Sequence, residues 1–231
     1  MKKIGLLILL SAFVCLCACS TSKGKTPEFE CEEAYRPILE DFRKVISALE
    51  KPEFFYDGLN SVYEAAIEFE DAAEDTIGFV FRDINADGKE ELFVGCFDTE
   101  GSNGVNNEIY AAFSDDGDSL TPLFEKQKRN TFALTDTGTF YFYGSDGSKF
   151  HIIAEYELTM DEGLVCKDFY FTYPKNQDKD EFGYYHNTSG LWDPACSQEL
   201  DMTPDAFDEI RKNFEKRTVS LDDVKFSEIE N

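Results

Sequence analysis

Between Ile77 and Tyr173 the chain reads as eight short β-type runs, and no interval between neighbouring runs exceeds ten residues. A parallel crossover needs a dozen or more residues to return to the same edge of a sheet. Intervals this short permit only hairpins, so the region is expected to fold as an antiparallel meander and not as a doubly wound sheet. The runs are IGFVFR (77–82), ELFVGCF (91–97), EIYAAFS (108–114), LTPLFE (120–125), NTFALT (130–135), TFYFYG (139–144), KFHIIAEYELTM (149–160) and LVCKDFYFTY (164–173). Connectors such as Asp115-Asp116-Gly117-Asp118, Asp136-Thr137-Gly138 and Ser145-Asp146-Gly147 are turn chemistry, in which Gly supplies positive φ. Within 149–158, Phe150, Ile152, Ala154, Tyr156 and Leu158 share one face. His151, Glu155 and Glu157 share the other, the pattern of a half-buried strand that Ile153 interrupts.

Helical spacing flanks the meander. Tyr35, Ile38, Leu39, Phe42, Val45, Ile46 and Leu49 predict an amphipathic helix of about five turns that ends near Lys51-Pro52. Leu59, Val62, Tyr63, Ala66 and Ile67 predict a second, with Glu64, Glu68, Glu70, Asp71, Glu74 and Asp75 on a solvated face. Residues 174–202, rich in Asp, Asn, Pro, Gly and Tyr, read as a long loop. Thr203-Pro204 then supplies an N-cap and a proline at the first helical position. Phe207, Ile210, Arg211 and Phe214 form the buried stripe, with acidic residues early and basic residues late, as the helix dipole favours. The expected fold is α+β: N-terminal helices, an antiparallel β-meander sheet and a closing C-terminal helix. No Pro- or Ser-rich linker divides residues 30–231, so they are expected to form a single domain.

Charge excludes whole classes of partner. Lys plus Arg number 22 against 47 Asp plus Glu, a formal net charge of −25. Duplex nucleic acid and polybasic contact with anionic membranes both require the opposite balance. The 22 Phe and 11 Tyr exclude wholesale disorder. At the N-terminus, Lys2 and Lys3 precede an apolar run, Ile4 to Val14, too short to span a bilayer comfortably. It ends in Leu16-Cys17-Ala18-Cys19, which resembles the bacterial lipobox. The resemblance implies a signal peptide over 1–18, a diacylated Cys19 and a flexible tether over 19–29. Two acyl chains anchor stably where one is marginal. The expected location is the cell membrane, lipid-anchored and facing outward. An ordinary signal peptide cleaved nearby is the other reading. Of the cysteines beyond the anchor, Cys31, Cys96, Cys166 and Cys196 would form two disulfides in one of three pairings or stay reduced. Their wide spacings do not suit zinc.

One constellation carries chemistry. In Asp83-Ile84-Asn85-Ala86-Asp87-Gly88-Lys89-Glu90-Glu91, oxygen side chains recur at alternate positions around a glycine. Ca²⁺ takes six to eight hard oxygens, and alternate residues of a tight loop converge on such an ion. Asp83, Asn85, Asp87 and Glu91 would ligate through side chains and Lys89 through its carbonyl, while Gly88 permits the turn. The stretch is similar to the first half of an EF-hand loop, but Val94 stands where that loop carries its final Glu, and the flanks read as strands. It resembles the calcium loops of integrin-type FG-GAP repeats. FVFRDINADGKEELFVG more closely resembles a family of uncharacterised lipoproteins from Gram-positive gut and oral bacteria, and the layout of residues 30–220 is similar to that family's. That resemblance implies the N-terminal helix, the meander and the closing helix, and no activity. A solvated acidic hairpin tip is the competing reading of the loop.

The remaining candidates are weaker. His151, in a strand, and His186, in the Tyr-rich loop, read as surface residues and not as catalytic bases. Tyr173, Tyr184, Tyr185 and Trp192 would either form an aromatic platform for a sugar or peptide or pack over the sheet end. Asn187-Thr188-Ser189 matches a glycosylation sequon. No nucleophile–base motif appears, and no carboxylate pair stands out. The expected function is therefore a surface-tethered, calcium-stabilised, non-enzymatic binding or structural module for a carbohydrate or protein ligand. The alternative is a carboxylate-dependent, glycosidase-like hydrolase of the cell envelope.

Overall fold

The computed structural model describes residues 33–49, 58–97, 105–115, 117, 119–147, 149–159, 163–175 and 181–228. The expected signal peptide, Cys19, the tether, Cys31 and Lys51-Pro52 lie outside them. Helix α1 (Arg36–Ala48) buries Ile38, Leu39, Phe42, Val45 and Ile46, the stripe that the spacing predicts. It is shorter than expected, because Leu49 turns left-handed and its N–H closes onto the Val45 carbonyl. Helix α2 (Leu59–Phe69) buries Leu59, Val62, Ala65 and Ala66, and a short α3 (Ala73–Thr76) leads into the strands.

The meander exists, but it is divided between two sheets. Strands β1 (Gly78–Arg82), β2 (Glu91–Cys96), β3 (Glu108–Asp115) and β4 (Leu120–Glu125) belong to the first. Strands β5 (Asn130–Leu134), β6 (Phe140–Ser145), β7 (His151–Thr159) and β8 (Gly163–Pro174) begin the second. The expected loop over 174–202 contains two further strands of that sheet, β9 (Phe182–Asn187) and β10 (Gln198–Leu200). After α4 (Pro204–Glu215), β11 (Val224–Lys225) pairs with β1, so the chain finishes in the first sheet and not in the helix. The sheet orders are β11-β1-β2-β3-β4 and β10-β9-β8-β7-β6-β5, with every pairing antiparallel. The fold is α+β, with two antiparallel sheets in place of the single one expected.

The division follows from which faces need cover. Every residue of β2 is buried. Leu92 and Val94 face the N-terminal helices along with Phe113, whose ring lies 5.9 Å from that of Phe42, and Phe81, 5.3 Å from Tyr35. Phe93 faces the other way, 5.7 Å from Phe140 of the second sheet. Phe124 stacks on Phe132 at 4.1 Å and meets Phe140 edge-on at 5.0 Å. Each such pair adds about 0.5–1.5 kcal/mol beyond area burial. The far face of the second sheet is covered by α4, where Phe214 stacks on Tyr141 and Phe207 packs on Tyr184. The resulting order is helices, sheet, sheet, helix. Ile153 interrupts the expected alternation because its strand is covered on both sides: it is wholly buried beside Ala133, Tyr141 and Phe214.

Polar side chains tie the layers at one corner. Asn107, fully buried, donates through Nδ2 to the carbonyls of Leu134 (3.0 Å) and Val219 (2.6 Å), and its Oδ1 accepts from the Leu134 N–H (2.8 Å). Asn106 holds Thr218 in the same way, its Nδ2 donating to the Thr218 carbonyl at 2.6 Å and its N–H to Oγ1 at 3.0 Å. The N-cap of α4 is the one expected, Thr203 Oγ1 accepting from the Ala206 N–H at 3.2 Å. Cys96 is buried, Cys166 half-buried and Cys196 exposed. No helix among the described residues is long and apolar enough to cross a membrane.

Two outcomes are expected. Asn107→Ala strands the Leu134 N–H and the Val219 carbonyl and takes one of two donors from the Leu134 carbonyl, which keeps the Val219 N–H at 3.1 Å. It should lower stability by about 3 kcal/mol. For a domain of this size that is a fall in Tm of roughly 6–12 °C. Tyr141→Phe removes a buried hydroxyl that has no hydrogen-bond partner and should leave Tm unchanged or raise it. Equal losses in both variants would contradict the clamp. Among the three described thiols, alkylation at pH 8 should reach exposed Cys196 first. Burial pushes the Cys166 thiol up to about 11, so it should lag, and Cys96 should react only on unfolding.

Candidate functional site

The acidic loop joins β1 to β2, whose ladder closes at Arg82↔Glu91. Between those residues the side chains do what a sheet ladder does elsewhere. Asp83 Oδ2 accepts from the Gly88 N–H (3.0 Å), Asn85 Oδ1 from the Asp87 N–H (3.0 Å), and Asp87 Oδ1 from the Lys89 N–H (2.8 Å). These are local Asx-type bonds, the reason that Asp and Asn favour turns over regular structure. Gly88 sits at φ 86°, as expected, and Ala86 at φ 60° bears a left-handed conformation that side chains disfavour.

Glu91 is different in kind. It opens β2 at 1% exposure, and its Oε2 accepts from the Ile84 N–H at 3.0 Å. Burial holds its carboxyl above the ordinary Glu range, the charges of Asp87 and Asp83 add to that, and the Ile84 N–H opposes it. Asn85 Nδ2 lies between carboxylates, donating to Asp87 Oδ2 (3.2 Å) and Glu91 Oε1 (3.3 Å). The fold thus brings Asp83, Asn85, Asp87 and Glu91 around one loop. Lys89 contributes its N–H to Asp87 and reaches with Nζ to the Asp115 carbonyl, 3.1 Å away. Among the described residues no group of three or more His, Cys, Asp or Glu side chains stands in metal-holding geometry. In the loop, the Asn85 amide nitrogen occupies the ground between carboxylates that a cation would share.

A second site carries no motif. Between α4 and the outer face of the second sheet lies a cavity of about 310 Å³, lined by residues of β6 to β9, α4 and the turn before β7. Tyr143 Oη and His151 Nδ1 are 2.9 Å apart, and Thr172 Oγ1 accepts from the His151 N–H (2.9 Å) while donating to the Lys149 carbonyl (2.7 Å). Lys149 Nζ lies 5.4 Å from the centre of the Phe182 ring, and the Arg211 guanidinium 5.8 Å from that of Tyr143. Arg211 is forked between two carboxylates. Its Nε and Nη2 donate to Asp208 Oδ1 at 2.9 and 2.7 Å, and its Nη1 donates to Glu215. Hydrogen bonds from Lys212 and Arg211 hold the Asp208 carboxyl below its ordinary range, whereas burial raises that of Glu215.

The other sequence candidates scatter. His186 pairs with Asp168 at 2.9 Å and packs on Tyr170, away from the cavity, whereas His151 lines it. The four aromatic residues expected as a platform separate. Tyr184 lines the cavity, and Tyr185 is buried on the opposite face against Phe171. Tyr173 and Trp192, 38% and 41% exposed, meet edge-on at 6.0 Å. Asn187 spends its amide on the loop that follows β9, donating to the Leu191 carbonyl and to Ser197 Oγ, both at 2.8 Å. Only the aromatic richness of 173–192 hinted at the cavity; Tyr143, Lys149, Asp208 and Arg211 bear no local signature.

No family model and no curated protein matches the sequence. Among solved structures, a Xanthomonas type IV secretion system related protein is similar over 54% of this chain and 58% of its own, at 16% identity and a TM-score of 0.27.

Proposed function

We propose that the protein is a lipid-anchored, outward-facing, non-enzymatic binding module whose β1–β2 hairpin is locked by a calcium ion. The observation that carries the ion is Glu91. A carboxylate at 1% exposure, sharing a loop with Asp83 and Asp87 in a chain of net charge −25, calls for a cation to offset its burial. Three carboxylates, one amide and the Lys89 carbonyl form an all-oxygen set of the kind that hard divalent ions take. Asn85 would turn its amide so that Oδ1 replaces Nδ2 between Asp87 and Glu91. Bound calcium would supply charge neutralisation and nothing redox or hydrolytic.

The anchor rests on Cys19 and the lipobox-like residues before it. The binding role is supported by the cavity, whose carboxylate, Asp208, is kept ionised by Lys212 and Arg211. An ionised carboxylate suits an acceptor for ligand hydroxyls.

The test is thermal unfolding of the full chain in detergent, with EDTA, with Mg²⁺ and with Ca²⁺. A loop of this type has an expected Kd of roughly 10⁻⁴–10⁻³ M. At ten times Kd, calcium should add about 1.4 kcal/mol, a rise in Tm of a few degrees. Magnesium should do less, because it demands tighter octahedral geometry. Asp87→Ala should abolish the rise. Equal Tm under all three conditions, or a full response from Asp87→Ala, would leave the solvated acidic turn as the correct reading.

A further inference from the structure

The cavity beneath α4 is separate from the calcium loop and has its own chemistry. At about 310 Å³ it stands at the small end of ligand sites, which run from roughly 300 to 1,000 Å³, so it admits one or two rings. Aromatic side chains line it: Phe182, Tyr184 and Tyr143, each half-buried. A ring face is electron-rich and attracts polarised C–H bonds as well as cations. Beside the rings stand donors and an acceptor in fixed positions. Arg211 is forked between Asp208 and Glu215, which removes its rotational freedom and cancels its charge locally. Lys149 contributes a second cation over Phe182.

Charge of both signs in so small a space disfavours an ionic ligand. A cation meets Lys149 and Arg211, whereas an anion meets Asp208 after crossing the field of a chain at −25. A hydroxyl group donates and accepts at once, so vicinal hydroxyls can bridge the Asp208–Arg211 fork. A sugar ring combines such hydroxyls with a C–H face. We infer that the cavity binds one or two neutral pyranose rings, stacked on Tyr184 and Phe182 and hydrogen-bonded to Asp208 and Arg211. This inference rests on the reading of the protein as a binding module and names its ligand class; it does not depend on the calcium loop.

The experiment is calorimetric and saturation-transfer titration of the full chain in a non-glycosidic detergent. The probes are glucose, galactose, mannose, N-acetylglucosamine and cellobiose, with glucuronate and adenosine as the charged and aromatic comparisons. At least one neutral sugar should bind with a Kd of roughly a millimolar, ordinary for a ligand of this size. Tyr184→Leu and the near-isosteric Asp208→Asn should each weaken that binding about tenfold or more. Both should keep the thermal response to calcium, while Asp87→Ala should lose that response and keep the sugar. Absence of binding by any neutral sugar overturns the inference. So does equal binding by wild type and both cavity variants, or preference for glucuronate or adenosine. If the calcium response fails while sugar binds, only the calcium reading falls.

Discussion

Two aromatic sheets stacked face to face leave backbone groups at their shared corner without a ladder partner, and the side chain of Asn107 supplies one. Its amide has a donor and an acceptor in the geometry of a peptide, so it extends β5 by a pair of bonds and captures the Val219 carbonyl with the same nitrogen. Asn106 does likewise for Thr218. The start of β3, the end of β5 and the segment after α4 are thereby fixed together. From there the chain runs on to β11, which closes the first sheet beside β1. The phenylalanine seam buries apolar area between the sheets, but rings pack in many registers. The directional bonds of the two asparagines specify one.

That arrangement puts β2 at the centre of the first sheet, covered on both faces, and this sets the problem at its N-terminal end. Glu91 is the first residue of a wholly buried strand. Its partners, the Ile84 N–H and the Asn85 amide, are neutral donors within its own hairpin. Neutral donors satisfy the geometry of a carboxylate without cancelling its charge. The proposed calcium lock answers this with the residues already on the loop. The cavity under α4 solves its own charge problem internally, Arg211 lying between Asp208 and Glu215. The loop carries uncancelled negative charge, and the cavity is balanced and lined with rings. Those contrasts are what the two proposals, a structural ion in the loop and a neutral ligand in the cavity, rest on.

Local rules carried much of this fold. Short intervals forced antiparallel pairing, Thr203-Pro204 marked the start of α4 to the residue, and Gly88 takes the positive φ that its turn requires. What depends on long-range packing was not legible. The connector Lys126-Gln127-Lys128-Arg129 is as short as a hairpin loop, and although it lacks the Gly of the other turns, nothing in it says that the chain leaves one sheet for the next there. Tyr184-Tyr185-His186-Asn187 lacks an apolar alternation because Tyr185 faces a core while Tyr184 faces a cavity, so β9 was hidden in what reads as a loop. Ile153 reads as an irregularity until α4 is seen to cover that face. The cavity is assembled from residues as far apart as Tyr143 and Arg211, and no spacing rule connects them.

Hydrogen–deuterium exchange of the full chain, in EDTA and in calcium at about ten times Kd, interrogates the central claim residue by residue. If residues 83–91 close on an ion, amides of the loop and of the adjoining ends of β1 and β2 should exchange about tenfold more slowly with calcium. Those of α4 and the cavity walls should not change. Identical exchange across 78–96 in the two conditions, or protection confined to other elements, would contradict the account.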